Sequence, residues 1–286
     1  MDCLGRENCG DEISVKELRK IQLDMLKAFV TFCENNSIHY YLAGGTLLGA
    51  IRHKGFIPWD DDIDVSVPRP ECEKLQKLTN GKIGKYVLQQ PDANCPFHAE
   101  SWRLYDTAVV IESSLGRTSK RPVYIPAFID IFPIEGLPNT VGETRRHYQK
   151  LIPNRKLINC TMGSLWYGKT LKSKLFHLIM RPVANLIGYK TLYRNIQKEV
   201  TKYAFEESKY IGVMTAPVHT VEERMLKSEY VPQVELEFEG MKLTAPKNYD
   251  AYLTQLYGAD YMKLPPEEKR VSHHGFRLYR YKGEKR

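Results

Sequence analysis

The sequence predicts an α+β fold in which a mixed sheet is flanked by helices and carries a helical basic insertion. A helical pattern lies near the N-terminus, several short strand patterns follow it, and 42% of the 286 residues are hydrophobic. A chain of this size and composition can bury a substantial core. We therefore expect a single unit over residues 1–286, with a core of about 14–135 and 200–275 and a basic helical segment of about 141–198.

The N-terminal region predicts a helix, then a strand, then a second helix. Ser14 followed by Glu17 is typical of a capping box, and apolar residues recur at helical spacing as far as Glu34. The run IHYYLA predicts a buried strand. TLLGAIRHKG predicts a short helix that ends at Gly55. Pro58 prevents the helix from continuing, because it has no amide hydrogen to donate.

The next run, WDDDIDVSVP, combines carboxylates with β-branched residues. Alternation at period two places Asp60, Asp62 and Asp64 on one face of an extended strand. The intervening residues face the other side: Asp61, Ile63 and Val65. Carboxylates that converge in this way can hold one or two divalent ions, and oxygen ligands suit Mg²⁺ or Mn²⁺. A solvated acidic turn is the alternative, which the β-branched residues disfavour.

Further elements follow along the chain. We expect a helix over 69–79, a strand at YVLQQ, neighbouring strands at SWRLYD and TAVVIES, and a strand at PAFIDIFPIEG that Pro133 ends. Residues 141–207 are predicted to be mainly helical. VPQVELEFEGMKLTAP predicts a hairpin that turns at Glu239-Gly240, before a helix at YDAYLTQLYG and a loop at PPEEKRVSHHG.

Asp130 is the charged residue within an otherwise apolar strand pattern, so its carboxylate needs a partner. It could complete the metal site or accept the proton of an attacking hydroxyl. A structural ion pair with a buried arginine is the alternative.

A glycine pair separates the first strand from the short helix. At Gly44, Gly45 and Thr46, exposed amides and a permissive backbone could approach a phosphate closely. The positive residues that follow, Arg52, His53 and Lys54, could contact the same phosphate. An ordinary helix entry capped by Thr46 and a solvated helix end are the alternatives.

Aromatic side chains could enclose a quaternary ammonium group. The candidate walls are Trp59, Trp102, Tyr105 and Tyr249. His273 and His274 are candidates for contacting the nucleotide or donor group, although such a pair beside glycine is more often an exposed loop.

The string YYLAGGTLLGAIRHKGFIPWDDDIDVSVPR closely resembles the signature of the LicD family, which includes the fukutin-type ribitol-phosphate transferases. FIDIFPIEGLP and KLTAPKNYDAYLTQLYGADYMKLPPEEK extend the resemblance over most of residues 14–275. The family is similar to the nucleotidyltransferase superfamily, whose glycine turn, Asp-apolar-Asp strand and third carboxylate correspond to Gly44-Gly45, Asp62-Ile63-Asp64 and Asp130.

The resemblance implies a nucleotidyltransferase-like fold with Mg²⁺ or Mn²⁺ on Asp62 and Asp64, Asp60 as an additional ligand, and Asp130 completing the site. It implies transfer of phosphocholine from CDP-choline to a sugar of a teichoic acid or lipopolysaccharide precursor, with release of CMP assisted by Arg52 or Lys54. CDP-ribitol or CDP-glycerol as donor, and nucleotidyl transfer from a nucleoside triphosphate, are the alternatives.

Positive charge is concentrated in one segment. Residues 144–198 contain twelve Lys and Arg and no Asp or Glu, so subtracting them from the net charge of +8 leaves −4. Apolar residues are interleaved with these cations around a break expected at Pro182, which is typical of an interfacial amphipathic helix on an anionic membrane. A lid over a substrate groove, a dimer surface and nucleic-acid binding are the alternatives, and the last leaves the carboxylates unexplained.

The N-terminal residues lack an apolar signal region, and the six cysteines form no C-x-x-C pair. We therefore expect a cytoplasmic protein with free thiols. The basic segment adds the expectation of peripheral contact with the inner face of the plasma membrane, and the family resemblance implies a lipid-linked acceptor and no binding of nucleic acid.

Overall fold

A computed structural model describes residues 5–90, 101–113, 123–162, 170–215, 219–271 and 276–283. The predictions for His273 and His274 lie outside the described residues. Within the described ranges the chain forms eight α-helices and twelve strands, and ten of these strands make one mixed sheet. The predicted α+β class is therefore confirmed.

The helices, in chain order, are α1 (Val15–Asn35), α2 (Gly44–His53), α3 (Arg69–Thr79), α4 (Val141–Met162), α5 (Leu171–Ile187), α6 (Tyr189–Val200), α7 (Lys227–Tyr230) and α8 (Tyr249–Tyr257). The strands are β1 (Cys9–Glu12), β2 (Tyr41–Leu42), β3 (Asp64–Pro68), β4 (Lys82–Ile83), β5 (Tyr86–Gln89), β6 (Trp102–Ser113), β7 (Val123–Leu137), β8 (Tyr210–Val213), β9 (Met225–Leu226), β10 (Gln233–Phe238), β11 (Met241–Pro246) and β12 (Arg277–Tyr281).

The main sheet has the central order β1-β12-β6-β7-β3-β2, with β5 beside β6 and β8 beside β7. Strands β3 and β7 are parallel, whereas the other described pairs are antiparallel. Strands β10 and β11 form the predicted hairpin, and both turn residues, Glu239 and Gly240, have the positive φ that a two-residue turn requires. The parallel pair places two acidic segments side by side.

Helix α1 packs on the sheet as its sequence predicts. The Ser14 side chain caps the helix by accepting a hydrogen bond from the Glu17 amide. Leu18, Met25 and Phe29 of its apolar stripe are completely buried, and Ile21 and Phe32 are partly buried against the same core. The buried stripe fixes the helix over the loop that precedes β3.

Two strand predictions were wrong. SWRLYD and TAVVIES form the single strand β6, whose pairing with β7 shifts between Asp106 and Val110, as a bulge allows. Pro133 does not end β7. The pairing of β7 with β6 ends at Ile131 and its pairing with β8 begins at Ile134, so Pro133 lies where that edge needs no amide donor.

Three boundaries also differ from the predictions. Strand β3 begins only at Asp64, and residues 60–63 approach it as irregular backbone. Lys54 rather than Gly55 takes the left-handed conformation at the end of α2, with φ of 58°. Pro182 lies inside α5 and does not break it.

Strands β1 and β12, which the sequence did not indicate, pair with each other at one edge of the sheet.

The described parts of the basic segment, residues 141–162 and 170–198, are mainly helical, as predicted. Helices α4 and α6 enclose a separate small core, which includes Leu151, Leu192 and Ile196. Among the described residues, no helix has the length and apolar character needed to cross a membrane.

Candidate active site

Three separate segments of the chain meet at the start of β3. Asp64 and Asp130 are register partners in the parallel pair β3–β7, and the Asp130 amide donates to the Ile63 carbonyl over 3.0 Å. Residues in register on neighbouring strands project from the same face of a sheet. The sheet therefore places the Asp130 carboxylate beside that of Asp64.

The glycine pair packs directly against these carboxylates. Gly44 has a φ of +49°, and a Cβ added there would lie 3.2 Å from Asp64 Oδ2. A Cβ added to Gly45 would lie 2.7 Å from Asp60 Oδ2. Because both positions lack a side chain, the N-terminus of α2 can approach the acidic cluster closely.

The acidic run keeps the predicted alternation of burial although most of it is not a strand. Asp60, Asp62 and Asp64 are partly exposed, whereas Asp61 and Ile63 are buried. The Asp61 carboxylate is nevertheless close to its neighbours, because one carboxylate oxygen from each of Asp60, Asp61 and Asp62 lies within 4.8 Å of the others. The irregular backbone before β3 permits this convergence.

Helix α1 holds this loop by contacts that the sequence did not indicate. The Arg19 guanidinium donates to the carbonyls of Ile57, Pro58 and Asp60, at 2.6 Å for the shortest contact with Asp60. The Gln22 amide donates to the Asp61 carbonyl over 3.1 Å. Arg19 and Gln22 are spaced i, i+3, so they share the face of α1 that looks onto the loop.

Buried polar groups orient the two strand carboxylates. The Asp64 amide donates to Thr46 Oγ1 over 2.8 Å, so the Thr46 hydroxyl lies beneath the aspartate. Asp130 Oδ1 accepts from Ser101 Oγ at 2.7 Å and from Arg103 Nε at 2.8 Å. Arg103 in turn packs over the Phe128 ring. Arg103 is thus the arginine partner that the sequence analysis considered for Asp130. The ion pair lies beside the other carboxylates, so it does not exclude a role for Asp130 in the site.

The site has an excess of negative charge. Burial raises the pKa of Asp64 well above its usual range, and the charges of Asp62, Asp130 and Asp60 raise it further, while Arg103 lowers it. A divalent cation would relieve this repulsion, and the donor set consists of carboxylate oxygens, which Mg²⁺ and Mn²⁺ prefer. These residues fit such an ion.

A cavity of about 540 Å³ opens onto the carboxylates. Its lining includes Gly45, Arg52, Trp59 and three of the aspartates, but neither His53 nor Lys54. His53 packs edge-on against Trp59, and Lys54 is exposed at the end of α2. The cavity thus has an acidic floor beside the glycine turn.

The C-terminal region supplies the opposite wall, which the sequence did not single out as a site. Its lining residues are Tyr257, Asp260, Tyr261, Lys263, Pro265 and Lys269. Arg52 ties this wall to α2 by donating to the Tyr261 carbonyl over 2.9 Å, and the Arg270 guanidinium lies 5.9 Å from the Trp59 ring centre. The sequence signal that could have indicated this wall is the string YLTQLYGADYMKLPPEEK, which is part of the family resemblance.

The predicted aromatic walls do not come together. Trp102 and Tyr105 are buried in two different parts of the core, and Tyr249 packs against the main core. Trp59 does line the cavity, where its aromatic companions are Tyr257 and Tyr261. Trp102 and Tyr105 lie on β6 with their rings in the core, and Tyr249 on α8 packs against the main core. These three rings are therefore not available to the cavity.

The chain is similar in sequence to known proteins. A model of the LicD/FKTN/FKRP nucleotidyltransferase domain matches residues 37–186. The lipopolysaccharide cholinephosphotransferase LicD of Haemophilus influenzae is 31% identical over 268 residues, covering 92% of this chain and 97% of the relative. The ribitol 5-phosphate transferase FKRP is 27% identical in mouse and 25% in human, covering 37% and 42% of this chain and 24% and 28% of those proteins.

A mixed sheet that brings a glycine turn and paired carboxylates together defines a nucleotidyltransferase-like enzyme. The chain belongs to the LicD family, and it is a phosphotransferase.

Proposed function

We propose that this enzyme transfers phosphocholine from CDP-choline to a sugar hydroxyl of a lipid-linked cell-surface glycan precursor, of the teichoic acid or lipopolysaccharide type, and releases CMP. The observation that carries the proposal is the register of Asp64 with Asp130 beside the Gly44-Gly45 turn. The name of the Haemophilus relative, lipopolysaccharide cholinephosphotransferase, supports the choice of transferred group and acceptor.

Asp60, Asp62 and Asp64 would hold Mg²⁺ or Mn²⁺, and the adjacent Asp130 carboxylate would stay free of the metal to act as the general base. When bound, such an ion neutralises negative charge on the donor phosphates and on the departing CMP oxygen. The closeness of the Asp60 and Asp62 oxygens, the proximity of Asp64 to the glycines and the repulsion around Asp64 support this assignment.

The donor diphosphate would lie between the glycine turn and the cationic wall of the cavity. The N-terminus of α2 presents backbone amides at Gly44 and Gly45, where an anion is favoured. Arg52, Lys263 and Lys269 line the same cavity and would pair with phosphate oxygens. Trp59, Tyr257 and Tyr261 offer ring faces on which a trimethylammonium group could rest.

In the reaction, the acceptor oxygen attacks the phosphorus atom that carries choline, and the bond from that phosphorus to the oxygen of CMP breaks. Asp130 accepts the proton of the acceptor hydroxyl. Ser101 and Arg103 hold Asp130 Oδ1 in place for this step, and Arg52 stabilises the charge that develops on CMP.

Product analysis tests the proposal. Purified enzyme would be incubated with CDP-choline, CDP-ribitol, CDP-glycerol or CTP and an acceptor extract, with Mg²⁺, Mn²⁺ or EDTA. We expect CMP from CDP-choline, dependent on metal and acceptor. CMP from CDP-ribitol alone would instead assign a ribitol 5-phosphate transferase activity, as in the name of FKRP. Pyrophosphate from CTP, without CMP from any CDP-alcohol, would overturn the proposal in favour of nucleotidyl transfer.

A further inference from the structure

Helix α5 turns its apolar side away from the protein. Its buried residues are His177 and Ala184, whereas Leu171 and Leu186 are 76% and 88% exposed. Most of its other large apolar side chains are also exposed: Leu175, Phe176, Leu178, Ile179, Val183 and Ile187. A helix of a protein that is surrounded by water places such residues towards the core. This arrangement indicates that another apolar phase covers α5.

The exposed apolar residues form one continuous stripe. Leu171, Leu175, Leu178, Pro182 and Leu186 follow one another at intervals of three or four residues. Residues with this spacing lie above one another along a helix. His177 and Ala184 are offset from them to the opposite side, where α5 packs on α4 and α6. The stripe is therefore a surface of the folded protein.

The charge around the stripe points to an anionic partner. Lys172, Lys174 and Arg181 lie on α5 itself, within the segment 144–198 that contains twelve cations and no acid. A second copy of the chain on this surface would bring two such segments together, which like-charge repulsion opposes. The described lining of the donor cavity includes no residue of α4, α5 or α6, which argues against a lid over that cavity.

We propose that α5 is a peripheral membrane-binding helix, which inserts its leucine stripe into the interface of an anionic bilayer while the surrounding lysines and arginines contact lipid headgroups. Such contact would bring the enzyme to lipid-linked acceptors, and in that respect it rests on the proposed function. Binding to vesicles requires neither donor nor acceptor, so the two proposals can fail independently.

Vesicle flotation of the full chain tests this proposal. The wild-type protein would be mixed at low salt with vesicles of phosphatidylcholine alone and with vesicles that also contain phosphatidylglycerol. We expect flotation with the anionic vesicles and weaker flotation as salt is added. The variant Leu175→Ser/Leu178→Ser/Leu186→Ser should lose flotation by about tenfold or more, because each substitution removes apolar area that the bilayer would otherwise bury.

The control is Leu78→Ser on α3, a comparably exposed leucine outside the basic segment, which should float like the wild type. Circular dichroism and thermal unfolding would show whether the triple variant is folded. If the triple variant is not folded, the variant Lys172→Glu/Lys174→Glu, which leaves the stripe intact, is the deciding test. Reduced flotation of this variant supports the proposal, and unchanged flotation contradicts it.

Three outcomes would overturn the proposal. The first is that the wild-type protein does not float with anionic vesicles. The second is that the triple leucine variant and the lysine variant both float as the wild type does. The third is that the wild-type protein does not bind vesicles but forms a dimer in sedimentation analysis, and that the triple substitution dissociates this dimer. This result would assign α5 to a contact with a second copy of the chain.

Discussion

Asp64 on β3 and Asp130 on β7 lie directly opposite each other in a parallel strand pair, although 66 residues separate them in the sequence. The Asp130 amide bonds to the carbonyl of Ile63, so the backbone pairing itself sets the distance between the two side chains. The carboxylates repel each other, and the fold tolerates this because Arg103 pairs with Asp130 and because neighbouring residues of β3 and β7 lie in the main apolar core. Unfavourable charge at such a place is typical of a functional site.

Removing one carboxylate should abolish transfer without unfolding the protein. For Asp64→Asn, and likewise for Asp62→Ala and Asp130→Asn, we expect CMP release to fall by at least about a thousandfold, because charge stabilisation in the transition state is lost. The melting temperature of Asp64→Asn should stay the same or rise, since repulsion is relieved. Asp24→Asn, an exposed carboxylate on α1, is the control. Near wild-type turnover in any two site variants would contradict the assignment.

Gly45→Ala should damage the site more than the fold. The added methyl would lie 2.7 Å from Asp60 Oδ2, so this carboxylate must move. We expect weaker activation by Mg²⁺ or Mn²⁺, measured as a higher metal concentration at half-maximal CMP release, with a melting temperature close to the wild type. Gly142→Ala, whose added Cβ meets nothing within 4 Å in α4, should stabilise slightly and leave activation unchanged.

Thr46→Val tests whether the hydroxyl beneath Asp64 orients the site. The substitution keeps the shape of the side chain but leaves the Asp64 amide without its acceptor, which costs about 1–3 kcal/mol in the free energy of unfolding. Chemical denaturation would measure this loss, and activity should fall with it. Thr46→Ser retains the hydroxyl and should restore most of both quantities. Equal behaviour of the valine and serine variants would show that the hydrogen bond is unimportant.

Arg103→Met should destabilise the protein by roughly 3–5 kcal/mol, because it leaves the Asp130 carboxylate in a poorly hydrated place without its ion-pair partner. Urea unfolding provides the measurement. Lys242→Met removes an exposed ion pair with Glu235 and should cost under about 1 kcal/mol. A loss for Arg103→Met no larger than that of the control would mean that Asp130 is well hydrated.

Glu223 should make stability depend on pH between about 4.5 and 8. Burial is the main reason that the pKa of Glu223 is raised to about 8; the hydrogen bond from Tyr252 opposes this rise, and the charge of nearby Glu222 adds to it. The folded state therefore binds more protons than the unfolded state in this window, so the free energy of unfolding decreases as pH rises through it. Tyr252 also contacts the Gly44 backbone, which links this group to the glycine turn.

Glu223→Gln removes the titrating group and should flatten the pH dependence of the melting temperature over this window. Glu222→Gln, at the exposed neighbouring position, should retain the decrease. A wild-type melting temperature that does not change between pH 5 and 8 would refute the raised pKa.

Local patterns determined much of this protein. The boundaries of α1 and α3, the hairpin turn at Glu239-Gly240 and the alternation of burial through the acidic run all follow from capping, periodicity and glycine preference. The glycine pair and the carboxylates were also recognisable, since their order along the chain carries the family resemblance.

Only the tertiary structure decided how these parts meet. Register between β3 and β7 aligned Asp130 with Asp64, and helix packing directed Arg19 and Gln22 onto the loop before β3. The wall formed around Tyr257 and Lys263, and the outward orientation of α5, also depend on contacts between distant segments. Residue spacing encodes which side chains share a face of one element, whereas the partner of that face is selected by the packing of the whole chain.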